Sequence, residues 1–180
     1  MAKSNKKYRS DTLLKRFTKQ KQRNVLAKPG PRELVIILDG LKPNYNIGKI
    51  FRSGDAFGVR KIHLVNIDVF DPAPAKGSLR SVPAVFDNSF ANAHTALQDE
   101  GYKFFIFAPT ADTSLQDISL PAKSAFIFGH EEGGLSFDPD EYAGMCRLTI
   151  PHFGPVQSLN VSVAASVVMY EYVRRHRAGV

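Results

Sequence analysis

The sequence predicts an α/β domain whose mainly parallel sheet is flanked by helices, and three observations predict it. Short apolar runs recur along the chain, stretches with helical spacing separate them, and Pro- and Gly-rich turns punctuate the alternation. The first run, Leu34-Val35-Ile36-Ile37-Leu38, is apolar at every position, as a strand covered on both faces must be. Ile47 to Phe57 then has helical character and ends near Gly58. Lys61 to Val65 supplies a second strand, and residues 67–81, rich in Pro, Gly, Ala and Ser, read as a loop. Phe90 to Asp99 fits a helix stopped at Gly101, Phe104 to Phe107 a third strand, Ala125 to Phe128 a fourth and Leu148 to Ile150 a fifth. Ser158 to Arg175 closes the series as a helix.

That last helix is built largely from valines (Val161, Val163, Val167, Val168 and Val173), whose β-branching restricts their rotamers and makes them mediocre helix formers. It therefore needs burial against a neighbouring element or a second subunit, and Ala164, Ala165 and Ser166 permit close approach. Arg174, Arg175 and Arg177 would complement the negative end of its dipole.

A chain of 180 residues has room for one full core, and 43% hydrophobic with 23% charged residues is ordinary for a folded protein. No stretch approaches the run of about 18 apolar residues that spans a bilayer, and the N-terminus lacks an apolar leader core. The single cysteine, Cys146, rules out an internal disulfide framework, and no Cys/His clustering suggests zinc. The expectation is a cytoplasmic protein with no membrane association and no metal.

The net charge of +7 is concentrated at one end. Residues 1–32 hold eleven Lys and Arg against the single acid Asp11, which leaves the remainder mildly acidic. Such an arm attracts polyanions through counterion release, although charge runs are often no more than solvated tails. It has a weak helical pattern, with Leu13, Leu14 and Phe17 near one face, broken by Ala27-Lys28-Pro29-Gly30-Pro31. The chain divides accordingly into a basic extension, 1–32, that contacts RNA or is partly disordered, and a body, 33–180.

Three segments could carry chemistry. In the first, Asp39 to Arg52, a strand turns into a helix; Asn46 could be its N-cap and Arg52 could form an ion pair with Asp55. In the second, Phe126 to Ser136, a strand ends in a turn holding Gly129, His130, Glu131, Glu132, Gly133 and Gly134. Glycines there allow close backbone approach or positive φ, and the pattern is neither G-x-G-x-x-G nor a phosphate loop. His130, isolated beside a turn, more often packs or hydrogen-bonds than transfers protons. In the third, Leu148 to Ala165, a Pro/Gly loop runs into a helix for which Ser158 is a natural N-cap, while polar Asn160 and Ser162 among valines suggest a lined pocket.

In this order the three segments resemble the motifs of the SpoU (TrmH-like) family of SPOUT methyltransferases. Asn46 through Arg52 to Gly58 is similar to the first motif, and Gly129-His130-Glu131 with Gly134 to the second. Ile150-Pro151 through Ser158-Leu159-Asn160-Val161-Ser162-Val163-Ala164 is similar to the third. The resemblance covers about residues 34–175 and implies a C-terminal trefoil knot, a rare exception to unthreaded chains. It implies S-adenosyl-L-methionine as methyl donor, contacted by Gly129, Ile150 and Leu159 with Pro109 alongside. It also implies Asn46, Arg52, Glu131, Ser158 and Asn160 as catalytic and substrate positions, and a homodimer with sites at the interface. The expected reaction is methylation of a ribose 2′-hydroxyl in structured RNA. The Val156-Gln157-Ser158-Leu159 wording points to tRNA ahead of rRNA, and the alternative is a catalytically silent RNA-binding protein on the same fold. Tyr45 and His152 depart from the common motif residues and touch the detail of the cofactor pocket.

Overall fold

The computed structural model describes residues 2–176, with side chains from residue 11 onward. Among these residues six parallel strands form one sheet: β1 (Leu34–Asp39), β2 (Lys61–Val65), β3 (Ala84–Asp87), β4 (Lys103–Phe107), β5 (Ser124–Phe128) and β6 (Cys146–Leu148). Their order is β3-β2-β1-β5-β4-β6. Four helices, α1 (Ala2–Asn24), α2 (Tyr45–Ala56), α3 (Phe90–Asp99) and α4 (Val161–Arg175), cover its two faces.

β1 is buried at all six positions because alternate side chains enter two different cores. Leu34, Ile36 and Leu38 pack with Ile47, Ile50 and Phe51 of α2 and with Val168, Met169 and Tyr172 of α4. Val35 and Ile37 pack with Phe90, Ala93 and Leu97 of α3. Each such side chain contributes roughly 1.5–3 kcal/mol by leaving water, so this strand anchors both layers.

Two strands depart from expectation. β3 lies outside the expected series: four residues following Pro83 are too few to show a period. The last strand ends at Leu148, two residues before the expected Ile150. Thr149 instead bridges to the loop after β4, donating to the Thr113 carbonyl at 2.9 Å and accepting from the Leu115 N–H at 2.8 Å. From β6 at the sheet edge the chain passes back to lay α4 against α2 and β5, a path consistent with the expected knot.

α1 is docked on the body. Phe17 is 3% exposed and meets Phe70 and Phe86 edge-on at 5.2 and 6.2 Å. The Asn24 amide donates to the Leu79 and Val82 carbonyls at 2.5 and 2.8 Å and its oxygen accepts from the Ala84 N–H at 2.9 Å. Exposed Lys15, Arg16, Lys19 and Arg23 remain on its outer side.

Arg174 and Arg175 lie in the last turn of α4, as the dipole expectation has it, and Arg175 has a further role. Arg175 turns to the loop between β4 and β5, donating to the carbonyls of Leu115 (2.8 Å), Gln116 (2.6 Å) and Ile118. The carbonyl of His176, at the end of α4, is met by Arg32 Nη1 at 2.6 Å. Arg177 lies outside the described residues. Glu171 accepts from both Arg174 and Arg175, at 2.8 and 2.6 Å. The Arg174 hydrogen bond, aided by Arg175 and opposed by burial, lowers its carboxyl from 4.5 to about 2. A depressed carboxylate stabilises the fold above its ordinary titration range, and that contribution is lost as pH falls toward the lowered value. Glu171→Gln should therefore be less stable than the parent chain at neutral pH, with the gap in denaturation midpoint closing as pH falls from about 4.5 toward about 2.

Candidate functional site

β1 and β5 are neighbours in the sheet, yet the strand order runs from β1 toward β2 and β3 on one side and from β5 toward β4 and β6 on the other. Loops leaving the carboxyl ends of strands on either side of such a switch diverge and open a cleft between them. The residues singled out in the sequence follow β1, β4, β5 and β6, so all four loops rim this one end of the sheet.

The loop after β5 doubles back on itself. His130 N–H donates to the Gly134 carbonyl at 2.7 Å and Gly134 N–H to the His130 carbonyl at 2.9 Å. Gly134 has φ +72, and a Cβ on Gly129 would lie 2.6 Å from the Gly134 carbonyl carbon and oxygen. Gly129 is thus required by the closeness of the loop's own backbone. His130 Nδ1 accepts from the Glu132 and Gly133 N–H groups at 3.1 and 3.0 Å, so this histidine braces the turn, in line with the plainer reading of it.

Glu131, at the tip, ties the three segments together. Its Oε1 accepts from Asn46 Nδ2 at 2.9 Å and its Oε2 from the Lys42 N–H at 3.1 Å. Asn46 Oδ1 in turn accepts from Asn160 Nδ2 at 3.3 Å. Burial alone would raise the Glu131 carboxyl, but the Asn46 and Lys42 hydrogen bonds outweigh it and hold the group below its usual range. Glu132, beside it, pairs with Lys42 Nζ at 2.5 Å.

Two capping expectations are corrected. Asn44, not Asn46, caps α2, accepting from the Asn46 N–H at 3.3 Å, which leaves the Asn46 side chain free to reach Glu131. Asn160, not Ser158, caps α4: its Oδ1 accepts from the Ser162 N–H at 2.9 Å and from the Ser162 hydroxyl at 2.7 Å. The helix begins three residues later than the sequence suggests, because 158–160 still belong to the loop.

Two adjoining hollows, of about 150 and 540 Å³, open beside this network and share Phe107, Pro109, Ser158, Leu159 and Ala164. Ile150 and Leu148 wall the smaller one; Gly129, Glu131 and Asn160 line the larger. Pro109, Gly129, Glu131, Ile150, Ser158, Leu159 and Asn160 therefore meet in one cleft, and Asn46 joins it by hydrogen bond. Arg52 does not. It is exposed on α2, lines neither hollow, and its side chain has no hydrogen bond or ion pair among the described residues; the alternative pairing with Asp55 is not formed. Sequence reasoning missed Lys42 and Asn44; the Asp-Gly-Leu-Lys-Pro-Asn run shows a turn but not which members grip a distant loop. Among the described residues, no group of three or more His, Cys, Asp or Glu could hold a metal, and no helix is long and apolar enough to cross a membrane.

The profile of the SpoU rRNA Methylase family matches residues 33–170. The 23S rRNA (guanosine-2′-O-)-methyltransferase RlmB of Coxiella burnetii is 32% identical over 160 residues, 86% of this chain and 64% of that protein, so this chain spans a little under two thirds of the relative's length. Among solved structures, the SpoU methyltransferase AviRb of Streptomyces viridochromogenes, in complex with the cofactor AdoMet, is 27% identical with a TM-score of 0.71, over 84% of this chain and 61% of that one. A structure described as giving insight into the 2-OH methylation of C/U34 on tRNA is 29% identical with a TM-score of 0.68, over 81% of this chain and 97% of that one.

Proposed function

Because the chain belongs to the SpoU rRNA methylase family, we propose that it transfers a methyl group from S-adenosylmethionine to a ribose 2′-hydroxyl of RNA. The observation that carries this reading is the Lys42–Glu131–Asn46–Asn160 hydrogen-bond chain set against the cleft. The hollows suit the donor. Their walls combine an apolar slot at Phe107, Leu148, Ile150 and Leu159 with the carboxylates of Glu131 and Glu132, and among the described residues no lysine or arginine lines them. That set favours a cationic sulfonium with a flat base over a nucleotide rich in phosphate. When bound, S-adenosylmethionine supplies a methyl group already activated on a positively charged sulfur.

The protein's task is then alignment, and help for the sugar oxygen as it loses its proton. Glu131, depressed in pKa and with one donor on each oxygen, is a poor proton acceptor and a good fixed anchor. It holds Asn46, and Asn46 holds Asn160, so the two amides are fixed beside the cleft where a ribose would be aligned. Arg52 supplies positive charge to the developing alkoxide, whose proton passes to a neighbouring phosphate of the RNA; a guanidinium is not deprotonated in proteins, so its own role is electrostatic.

Within one chain Arg52 stands outside the cleft, and a second copy would supply it. The face of α4 carrying Val163, Val167 and Tyr170, 49%, 38% and 54% exposed, is the surface that a homodimer would cover. The similar proteins do not support tRNA ahead of rRNA and lean the other way: relatives such as those of Coxiella burnetii and Nitrosomonas europaea are named for 23S rRNA, against one similar structure for tRNA. Incubating the protein with methyl-labelled S-adenosylmethionine and either RNA tests the reading. Label entering at least one RNA is expected; donor and RNA binding without transfer would instead favour a silent RNA-binding protein.

The basic extension is the proposed RNA-contacting element. Removing 1–30 would uncover the core at Phe17, so the cleaner test replaces exposed Lys15, Lys19 and Arg23 with glutamine. RNA affinity should fall and its salt dependence flatten by a log–log slope of about 0.7–0.9 for each phosphate no longer neutralised, with donor affinity intact. An unchanged salt slope would demote the helix to a bystander.

A further inference from the structure

The loop that carries Glu131 is also fastened at its base, by a residue the mechanism above does not use. Asp39, the last residue of β1, is 0% exposed. Its Oδ2 accepts from the Ser136 backbone N–H at 2.6 Å and its Oδ1 from the Ser136 hydroxyl at 2.7 Å, across 97 positions of sequence. A buried carboxylate is costly unless its oxygens find donors, so this pair is held closely once formed. We propose that Asp39 is a positioning residue that sets the place of Glu131 in the cleft, an inference that rests on the methyltransferase reading of that cleft.

The loop's construction supports it. β5 pairs with β1 up to Leu38 and Phe128, so the loop departs beside Asp39 and returns to it at Ser136. Leu135 and Phe137, on either side of Ser136, pack on the core beneath α3, with Phe137 stacked on Phe90 at 3.6 Å between ring centres. Residues 131–134 between these ends are exposed, and among the described residues their ties outside the loop are to the β1–α2 segment, through Glu131 and Glu132. One residue gripping both carboxylate oxygens fixes register as well as distance: a slip by one position would present Leu135 or Phe137, neither of which carries a hydroxyl. β1 therefore positions both halves of the Asn46–Glu131 contact, Asn46 through the chain that follows it and Glu131 through the clamp.

The test compares Asp39→Asn, Ser136→Ala and Glu131→Gln, alone and combined, in the full chain. Asp39→Asn replaces one acceptor with an amide and should lower kcat about 10-fold, as expected for a small displacement of an aligned group, with a smaller change in donor affinity measured calorimetrically. Ser136→Ala, at an exposed position, should lower kcat by less and keeps the test available should the first variant fold poorly. Combining either with Glu131→Gln should add nothing beyond Glu131→Gln alone, because the clamp acts through that carboxylate. Multiplying losses, or unchanged kcat in both clamp variants, would overturn the proposal. Amide exchange at His130 and Gly134 gives a second readout independent of turnover: faster exchange in the clamp variants supports the inference, and unaltered exchange contradicts it, even if the parent chain proves to transfer no methyl group.

Discussion

Replacing Arg52 with alanine is expected to reduce methyl transfer by about 100- to 1,000-fold, the usual cost of removing a group that stabilises developing oxyanion charge, while donor affinity hardly changes. The expected separation of transfer from donor binding follows from where the side chain stands. Arg52 is exposed, lines neither hollow and among the described residues is not drawn into an ion pair, so it has no evident part in holding the fold or the donor. Arg52→Lys should recover only part of the loss, since an ammonium keeps the charge but not the planar fork. Single-turnover transfer measured beside calorimetric donor binding separates the two effects. Unchanged transfer in Arg52→Ala would remove this residue from the chemistry.

Gly129→Ala should be comparably severe for a different reason. The added Cβ would sit 2.6 Å from the Gly134 carbonyl carbon and oxygen, and backbone cannot swing aside as a flexible side chain can. The turn closed by the His130–Gly134 pair has to open, moving Glu131 away from Asn46 and deforming the rim of the larger hollow. Transfer should fall by about 100-fold, in keeping with a displacement near 1 Å at an aligned site, and here donor binding should weaken as well. This joint loss distinguishes it from Arg52→Ala. Near-normal affinity and rate in Gly129→Ala would mean that the loop tolerates another conformation and that its shape does not govern the site.

Much of this arrangement is legible in the residues, for identifiable reasons. β1 announces itself because a strand covered on both faces must be apolar throughout, and the three polar segments stand out because each follows such a run. The helix starts are misplaced because Asn44 and Asn46 in one segment, and Ser158 and Asn160 in the other, are all chemically able to cap; only the backbone path decides between them. β3 stays hidden as a short edge strand, and the fifth strand is drawn too late because Thr149 and Ile150 have strand-forming side chains but pair with a loop or not at all. α1 shows only a weak apolar face, since its docking relies on Phe17 and on a polar residue, Asn24, that no hydrophobic pattern reveals. The grip of Asp39 on Ser136 is out of reach for a similar reason: an acid at the end of an apolar strand reads as a turn residue until a loop nearly a hundred positions away folds back to it.

The central claim is that the cleft methylates a sugar oxygen of RNA, and digestion of the labelled product tests it most directly. RNA treated with the protein and methyl-labelled S-adenosylmethionine should be hydrolysed to nucleosides and separated with 2′-O-methyl standards. All of the label is expected in 2′-O-methylated nucleosides; label on a base, or none in any RNA despite measurable donor binding, would contradict the account.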